Sequence, residues 1–302
     1  VVFRSIKPVT GKGKGNGCMS SRRVRQGVLL VFVVGPLLAT AYAMYTLWDE
    51  WITWREFILF FVLYLLTGIG ITIGYHRMLT HHSFETNPVI KAIFLILGSM
   101  AVEGHAIDWA ANHLKHHAHS DQEGDPHSPL DGFFHAHVGW LFRVQPAERE
   151  RYAKRQLKDP IIVFVDKTFL VWVALGYFIP YLIAGWEGVL WGGLVRMFVV
   201  NHVTWAVNSV CHTFGSRPFD IKDQSRNNWL IGLLAFGEGW HHNHHAFPGM
   251  AYHGMTWRQF DLSAIILRTL ARVGLVWDVR QPAPDVIERR RRKPEAVPVA
   301  GD

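Results

Sequence analysis

Residues 57–82 read FILFFVLYLLTGIGITIGYHRMLTHH, and this stretch joins the two features that decide the fold. Residues 57–75 are apolar and uncharged. At about 1.5 Å per residue, a helix of this length covers the roughly 30 Å hydrocarbon core of a bilayer. Directly after it come His76, His81 and His82. The stretch therefore predicts a membrane span that ends in imidazoles at the membrane surface.

The composition also favours a membrane protein. Of the 302 residues, 49% are hydrophobic and only 18% are charged, whereas a soluble domain carries about 25% charged residues. A run at 89–102 is short and contains Lys91, which is typical of a segment in the membrane interface. Three further apolar stretches are long enough to cross, at 27–48, 168–186 and 188–210. We predict an all-α membrane protein with four transmembrane helices and a cytoplasmic helical cap.

The charge distribution predicts the orientation. Residues 1–26 contain basic but no acidic side chains and adjoin the first span, which predicts a cytoplasmic N-terminus. The short acidic link Asp49-Glu50-Trp51 is expected on the outer side. Residues 76–167 and 211–302, including the basic run at 289–293, are then cytoplasmic. Such runs in an apolar chain favour anionic lipid over nucleic acid as the neighbour.

These patterns divide the chain into three regions. We predict a basic, disordered N-terminal tail at 1–26, a membrane domain at 27–280 and a basic C-terminal tail at 281–302. Residue 1 is Val and a methionine occurs at Met19, so residues 1–18 are interpreted as part of that tail or as an overcalled start. The protein is expected to be a multi-pass membrane protein whose termini and active site face the cytoplasm.

The chain has 18 histidines, all between His76 and His253, and this concentration predicts a single site. The two cysteines, Cys18 and Cys211, are too few for a cysteine-based metal site. The spacing HxxHH occurs twice and puts its histidines on one helical face. The clusters are His76 and His81; His113, His116 and His117; His241, His244 and His245; and, after the fourth span, His212.

This many imidazoles exceeds the needs of one ion. Four-coordinate zinc would use about half of them, and neutral imidazole also suits Fe, Cu or Ni. Two irons sharing nine nitrogens would retain room for water or O2. Soluble di-iron bundles use Glu-x-x-His pairs, which are not seen here. Nearby acids, which are expected either to accept ligand ring protons or to be surface charges, are Asp121, Asp125 and Glu238.

These features resemble the integral-membrane fatty acid desaturase family, whose signature is HxxxxH, HxxHH and a second HxxHH. The likeness is greatest to its Δ9, stearoyl-type branch of bacterial and cyanobacterial kind. It covers most of the chain and rests on GYHRMLTHHSF, HSDQEGDPHSP, HVGW, TWAVNSVCH, GEGWHHNHHAFP and GLVWDVRQP.

The resemblance implies an O2-dependent oxidoreductase with a di-iron centre that removes two hydrogens from a methylene pair, which gives a cis double bond and water. Asn208 matches the family residue that holds a metal-bound water. His242 is an additional imidazole, expected next to the ligands or at the surface. The implied ligands are His76, His81, His113, His116, His117, His212, His241, His244 and His245. The implied tunnel residues are Tyr64 at its floor and Trp109, Thr204 and Trp205 at its bend.

Partners are less narrowly implied. Ala111 and Asn112 stand where animal acyl-CoA desaturases have an Arg-Asp pair, so the fatty acyl chain is expected on CoA, on a lipid or on another carrier. The sequence has no haem, dinucleotide or iron–sulfur motif, so electrons are expected from a separate donor such as ferredoxin or cytochrome b5. Two alternatives stay open here: a hydroxylase or ketolase on the same scaffold, and a histidine-rich zinc transporter or metal-binding membrane protein.

Overall fold

The computed structural model describes residues 17–47 and 52–292. Helix α1, Gly17–Thr46, includes residues 27–46 of the apolar stretch predicted at 27–48. It begins well before residue 27, so the prediction of a disordered tail is wrong for residues 17–26. Residues 1–16 and the acidic link at 49–51 lie outside the described residues.

The second apolar stretch is one long helix that changes its winding. Helix α2, Trp54–Ile69, continues into a π-helix at Gly70–Thr80. Helix α3, Pro88–Met100, packs closely against this π-helix because glycines face each other there. A Cβ atom on Gly70 would lie 2.2 Å from the backbone nitrogen of Gly98. The helix thus extends to residue 80, beyond the predicted end at 75, and carries the first histidines with it.

The third stretch reverses its direction. Helix α8, Phe169–Gly188, leads through a π-helix at Val189–Val195 into α9, Arg196–Ser209. The backbone breaks at Ala184 and Gly185, where Gly185 has φ 59° and ψ −140°. After the break the chain packs against the first half of the same stretch. Gly193 lies so close to Tyr177 that a Cβ on Gly193 would be 2.7 Å from its ring.

Within residues 17–47 and 52–292, three helical stretches are long and apolar enough to cross a membrane: Arg23–Thr46, Trp54–Thr80 and Phe169–Ser209. These stretches support the prediction of a mainly helical membrane protein. The predicted spans at 168–186 and 188–210 both fall in the third stretch, on either side of its reversal. Arg196 of α9 is fully buried and donates to the carbonyl of Met100 at 2.8 Å, which connects α9 to the end of α3.

The remaining elements are shorter. A short antiparallel pair, β1 at Glu85–Thr86 and β2 at Val276–Trp277, is a small departure from the predicted all-α fold. Two short 3-10 helices and a further π-helix lie at Pro129–Asp131, Gln156–Lys158 and His135–Gly139. The other α-helices are α4, Ala106–His119; α5, Trp140–Arg143; α6, Arg149–Tyr152; α7, Pro160–Lys167; α10, Trp229–Leu234; α11, His241–Ala246; α12, Leu262–Arg272; and α13, Pro284–Arg290.

Helix α13 alters the interpretation of the C-terminal segment. Its Val286 and Ile287 pack against a buried cluster that includes Phe247 and Met250. The guanidinium of Arg290 lies 5.2 Å from the ring centroid of Phe247. The segment predicted as a basic tail at 281–302 therefore begins with a docked helix, directly behind α11.

Candidate metal centre

The π-helix at Gly70–Thr80 explains how the first histidine pair meets. In an α-helix, residues five apart point about 140° away from each other. In a π-helix the backbone bonds run from residue i to i+5, as from the amide of His81 to the carbonyl of His76 at 3.1 Å. The two imidazoles consequently lie together, with ring centroids 4.8 Å apart.

All nine predicted ligand histidines lie in two adjacent groups. The ligand nitrogens within each group are within 4.8 Å of one another. Each HxxHH sequence divides between the groups, since α4 and α11 each pass between them. Group one is His76, His81, His113, His117 and His244; group two is His116, His212, His241 and His245.

Carboxylates fix the ring orientation of several of these histidines. Nδ1 of His76 lies 2.5 Å from Glu238, Nδ1 of His116 lies 2.9 Å from Asp125, and Nδ1 of His212 lies 2.8 Å from Asp121. All three acids thus lie where a carboxylate can accept the ring proton of a histidine in the two groups. A fourth acid, Asp223, lies 2.9 Å from Nδ1 of His245 and was missed by the sequence analysis, since it occupies a loop with no periodic pattern.

The Nε2 atoms converge on two points. Nε2 of His76 is 3.1 Å from that of His244, which is 2.9 Å from that of His117. In group two, Nε2 of His241 is 3.0 Å from that of His212. An imidazole whose Nδ1 proton is held by a carboxylate presents a lone pair at Nε2. Lone pairs this close repel each other unless a cation lies between them.

The protonation of the histidines also fits metal binding, because a ligand imidazole must be neutral. Burial, followed by the nearby imidazoles, lowers the pKa of one set well below 6.5. That set is His81, His113, His117, His241, His244 and His245. Nε2 of His116 and of His245 are buried without a hydrogen-bond partner among the described residues. The residues therefore fit two metal ions, each with nitrogen ligands.

Comparison with known proteins decides the family. The model of the family "Fatty acid desaturase" matches residues 52–256. The chain belongs to the fatty acid desaturase family. It is 39% identical to a hex-5-enoyl-[acyl-carrier protein] acetylenase of Moorena producens over 96% of both chains. It is 41% identical to an sn-1 stearoyl-lipid 9-desaturase of Anabaena variabilis over 72% of this chain and 82% of the relative.

A third relative, an acyl-CoA C20 Delta5-desaturase of Anemone leveillei, is 38% identical over 76% of each chain. The desaturase is thus an oxidoreductase that acts on acyl chains. The cyanobacterial stearoyl-lipid relatives agree with the predicted Δ9 bacterial branch, and family membership argues against the zinc-transporter alternative.

A buried ionic network supports group one in this desaturase. Arg77, fully buried, contacts Glu238 at 3.0 Å and Asp261 at 3.1 Å. His253 contacts the same glutamate at 3.3 Å. Burial opposes ionisation of Glu238, but His76, His253 and Arg77 outweigh it and hold its pKa well below the usual value. His253 was not singled out by the sequence analysis, since it lies outside the three boxes.

Group two has a similar unpredicted neighbour in His127. Its ring centroid is 4.3 Å from that of His116, and its Nδ1 lies 3.9 Å from Asp125. Burial and the neighbouring His116 lower the pKa of His127 to about 3. The quoted string HSDQEGDPHSP contains this residue, but its spacing from the HxxHH box gave no signal of contact.

His242 has a position that corrects part of its prediction. It is fully buried, so the surface alternative is wrong. Its Nδ1 lies 2.8 Å from the carbonyl of Ser225, and the amide of Phe219 donates to its Nε2 at 3.1 Å. Ser225 in turn donates to Asp223, the partner of His245. His242 therefore holds the loop that positions Asp223 and does not itself face the metal groups.

A mostly apolar cavity ends at the two groups. It is lined by His76 and His113 at one end and by Tyr64, Gly68 and Phe236 farther away, with Asn208 and Thr204 along its side. Trp109 stacks on His113 at 5.1 Å. Trp205, predicted to line the bend, is not among the lining residues and instead packs against His137 and His202. Adjacent residues on an α-helix point about 100° apart, so Trp205 faces away from the cavity that Thr204 lines.

Proposed function

We propose that this desaturase inserts a cis double bond, at the Δ9 position, into a saturated acyl chain with O2 and two external electrons. One observation carries the proposal: two groups of converging, buried or partly buried imidazoles stand at the end of an apolar cavity. The cyanobacterial relatives are sn-1 stearoyl-lipid 9-desaturases, which supports Δ9, whereas other relatives act at Δ5 and Δ7.

The nine histidines of groups one and two would hold two irons, one for each group. When bound, the irons would supply the O2 chemistry that removes hydrogen from an unactivated methylene pair. The residues of the chain do the rest. Glu238, Asp125, Asp121 and Asp223 keep the ring protons on Nδ1, and Asn208 faces the cavity where a metal-bound water would stand.

The cavity would select the reacting carbons by length, because methylenes offer no polar group to recognise. The contacts of Tyr64 are consistent with a closed end of the cavity at this residue. Its hydroxyl donates to the carbonyl of Leu234 at 2.6 Å, and its ring lies 5.2 Å from that of Phe236. Gly68 leaves room for Phe236, since a Cβ there would lie 2.2 Å from that ring. A chain that reaches this floor would present one fixed pair of carbons to the metal groups.

We further infer that the reversal at Ala184–Gly185 divides Phe169–Ser209 into two crossings, which gives four spans. This arrangement keeps both metal groups on one side of the membrane. The basic N-terminal flank supports a cytoplasmic location for that side. A separate acidic electron donor, ferredoxin or cytochrome b5, would then reach the centre from the cytoplasm, where the positive charge of the chain speeds encounter.

The test is expression in a host that lacks unsaturated fatty acids, followed by chromatography of its lipid species and metal analysis of the purified protein. We expect a Δ9 cis product, about two irons per chain, and a head group or thioester that identifies the carrier. A hydroxylated product would contradict desaturation. A double bond at another position would contradict Δ9 alone.

A further inference from the structure

A second cavity, outside the proposed active site, is basic. It has a volume of about 350 Å³ and is bordered by Lys91 of α3 and by Arg155 and Lys158 before α7. Two carboxylates, Glu85 and Asp159, also border it. Both oxygens of Asp159 are already bonded within the protein. One of its oxygens caps the amides of Ile161 and Ile162, and the other binds Lys91 at 2.7 Å.

The other two cations remain available to a ligand. Arg155 has a side chain 62% exposed and reaches Glu85 only at 3.4 Å. Lys158 is exposed and forms no ion pair within residues 17–47 and 52–292. The cavity therefore offers Lys158, which has no ion pair among the described residues, and Arg155, whose long and largely exposed pair with Glu85 a ligand could replace.

An apolar groove of about 500 Å³ adjoins this cavity and shares Pro160 with it. It runs between α3 and α7, and its lining contains no polar side chain. The most exposed members are Val89, Ile93 and Phe164, at 67%, 45% and 58%. The full lining is Pro88, Val89, Ala92, Ile93, Ile96, Pro160, Ile161 and Phe164.

We propose that the cavity and groove together form a binding site for a phospholipid with an anionic head group, distinct from the acyl substrate site. The phosphate would lie between Arg155 and Lys158, and one acyl chain would lie along α3 and α7. Guanidinium and ammonium groups at a membrane surface favour anionic lipids. The groove starts where these cations end, which is the order of polar and apolar parts in a phospholipid.

The continuity of the two halves favours this ligand over others. A free phosphate would use the cations but leave the groove exposed. An acidic electron-transfer protein would bind the cations but would not fill the apolar groove beside α3. Only a ligand with an anionic end and a long apolar part complements both surfaces. The inference does not depend on the double-bond position or on the metal.

The test uses the full chain in detergent micelles that contain equal amounts of phosphatidylglycerol and phosphatidylcholine with identical acyl chains. Native mass spectrometry then gives the ratio of the two lipids retained. We expect phosphatidylglycerol to dominate. The double variant Arg155→Gln, Lys158→Gln should reduce its retention about 25-fold, since each such cation near a membrane contributes roughly fivefold. The matched control Arg289→Gln, Arg291→Gln removes two exposed cations from the α13 region and should change nothing.

A second variant, Ala92→Phe, fills the groove without changing charge and should reduce retention of both lipids. Size-exclusion profile and melting temperature verify that each variant is folded. Three results would overturn the proposal: equal retention of both lipids by the unaltered chain, displacement of phosphatidylglycerol by millimolar inorganic phosphate, or unchanged lipid retention in the Arg155 and Lys158 variant with a slower ferredoxin-dependent rate. The last result would assign the cavity to the electron donor.

Discussion

Nδ1 of His245 lies 2.9 Å from Oδ2 of Asp223, in the same arrangement that Asp121 makes with His212 and Asp125 with His116. Three of the four imidazoles in group two are therefore oriented by a carboxylate. Such a carboxylate fixes the tautomer and raises the basicity of the ligand nitrogen. The loop at 219–225 thus takes part in the metal centre although it carries no ligand.

The substitution Asp223→Asn tests this link. An amide carries no charge and holds the Nδ1 proton less firmly, so we expect iron affinity or activity to fall by about 10–100-fold. Iron retained after dialysis against a chelator measures the loss. Asp131→Asn, at an exposed acid in the 3-10 helix Pro129–Asp131, is the control. Equal iron retention in both variants would remove Asp223 from the centre.

His244→Ala tests the ligand assignment of group one. His244 contacts both His76 and His117 through Nε2, so we expect its loss to abolish activity and reduce bound iron while the protein still inserts. The control is His119→Ala, at a half-buried histidine at the end of α4 whose Nε2 lies 3.4 Å from the hydroxyl of Tyr152 and which belongs to neither metal group. Near-normal product from the His244 variant would exclude it as a ligand.

Tyr64→Ala tests the proposed floor of the cavity. Removal of the ring opens space next to Phe236, so we expect acceptance of longer acyl chains with little change for the shortest. Tyr64→Phe loses only the hydrogen bond to Leu234 and should keep the original preference. Gas chromatography of products from a mixture of chain lengths gives the comparison. An unchanged length profile for Tyr64→Ala would place the floor elsewhere.

We expect Glu103 to make the stability of the protein depend on pH. Burial raises its pKa from 4.5 to about 7, although Thr204 and Trp109 donate hydrogen bonds to it. The folded protein then binds the proton more tightly than the unfolded chain. Stability therefore falls as pH rises from 4.5 through 7.

Glu103→Gln keeps an acceptor for Trp109 but has no charge to desolvate. We expect its melting temperature to exceed that of the unaltered protein by a margin that grows between pH 5 and pH 8. Thermal unfolding in detergent at several pH values measures the margin. A margin that stays constant would mean that Glu103 is not titrating in this range.

The apolar helices could be predicted from the sequence because a membrane span needs about 20 consecutive apolar residues. The histidines could be predicted because their spacing is unusual. The sequence did not reveal how each HxxHH divides between two groups. On an isolated helix His113, His116 and His117 share one face, and only the approach of α11 and of the π-helix separates them. That approach depends on contacts far apart in sequence.

Other parts of the site were hidden for a different reason. Asp223 and His253 lie in loops, where a polar side chain is ordinarily solvated, so neither stood out. Trp205 was misplaced because neighbouring positions on one helix face different directions, and sequence likeness alone does not distinguish them. His242 was identified as additional, but its hydrogen bonds to Ser225 and Phe219 required the folded loop.

The π-helix at Gly70–Thr80 has a consequence for how this chain tolerates change in length. Its wide turns shift the phase between the apolar face of α2, which lines the cavity, and the imidazole face at His76 and His81. A single insertion or deletion here would rotate one face against the other by about 100°, without altering any histidine. The number of residues between the cavity floor and the metal centre is therefore constrained as strictly as the histidines themselves.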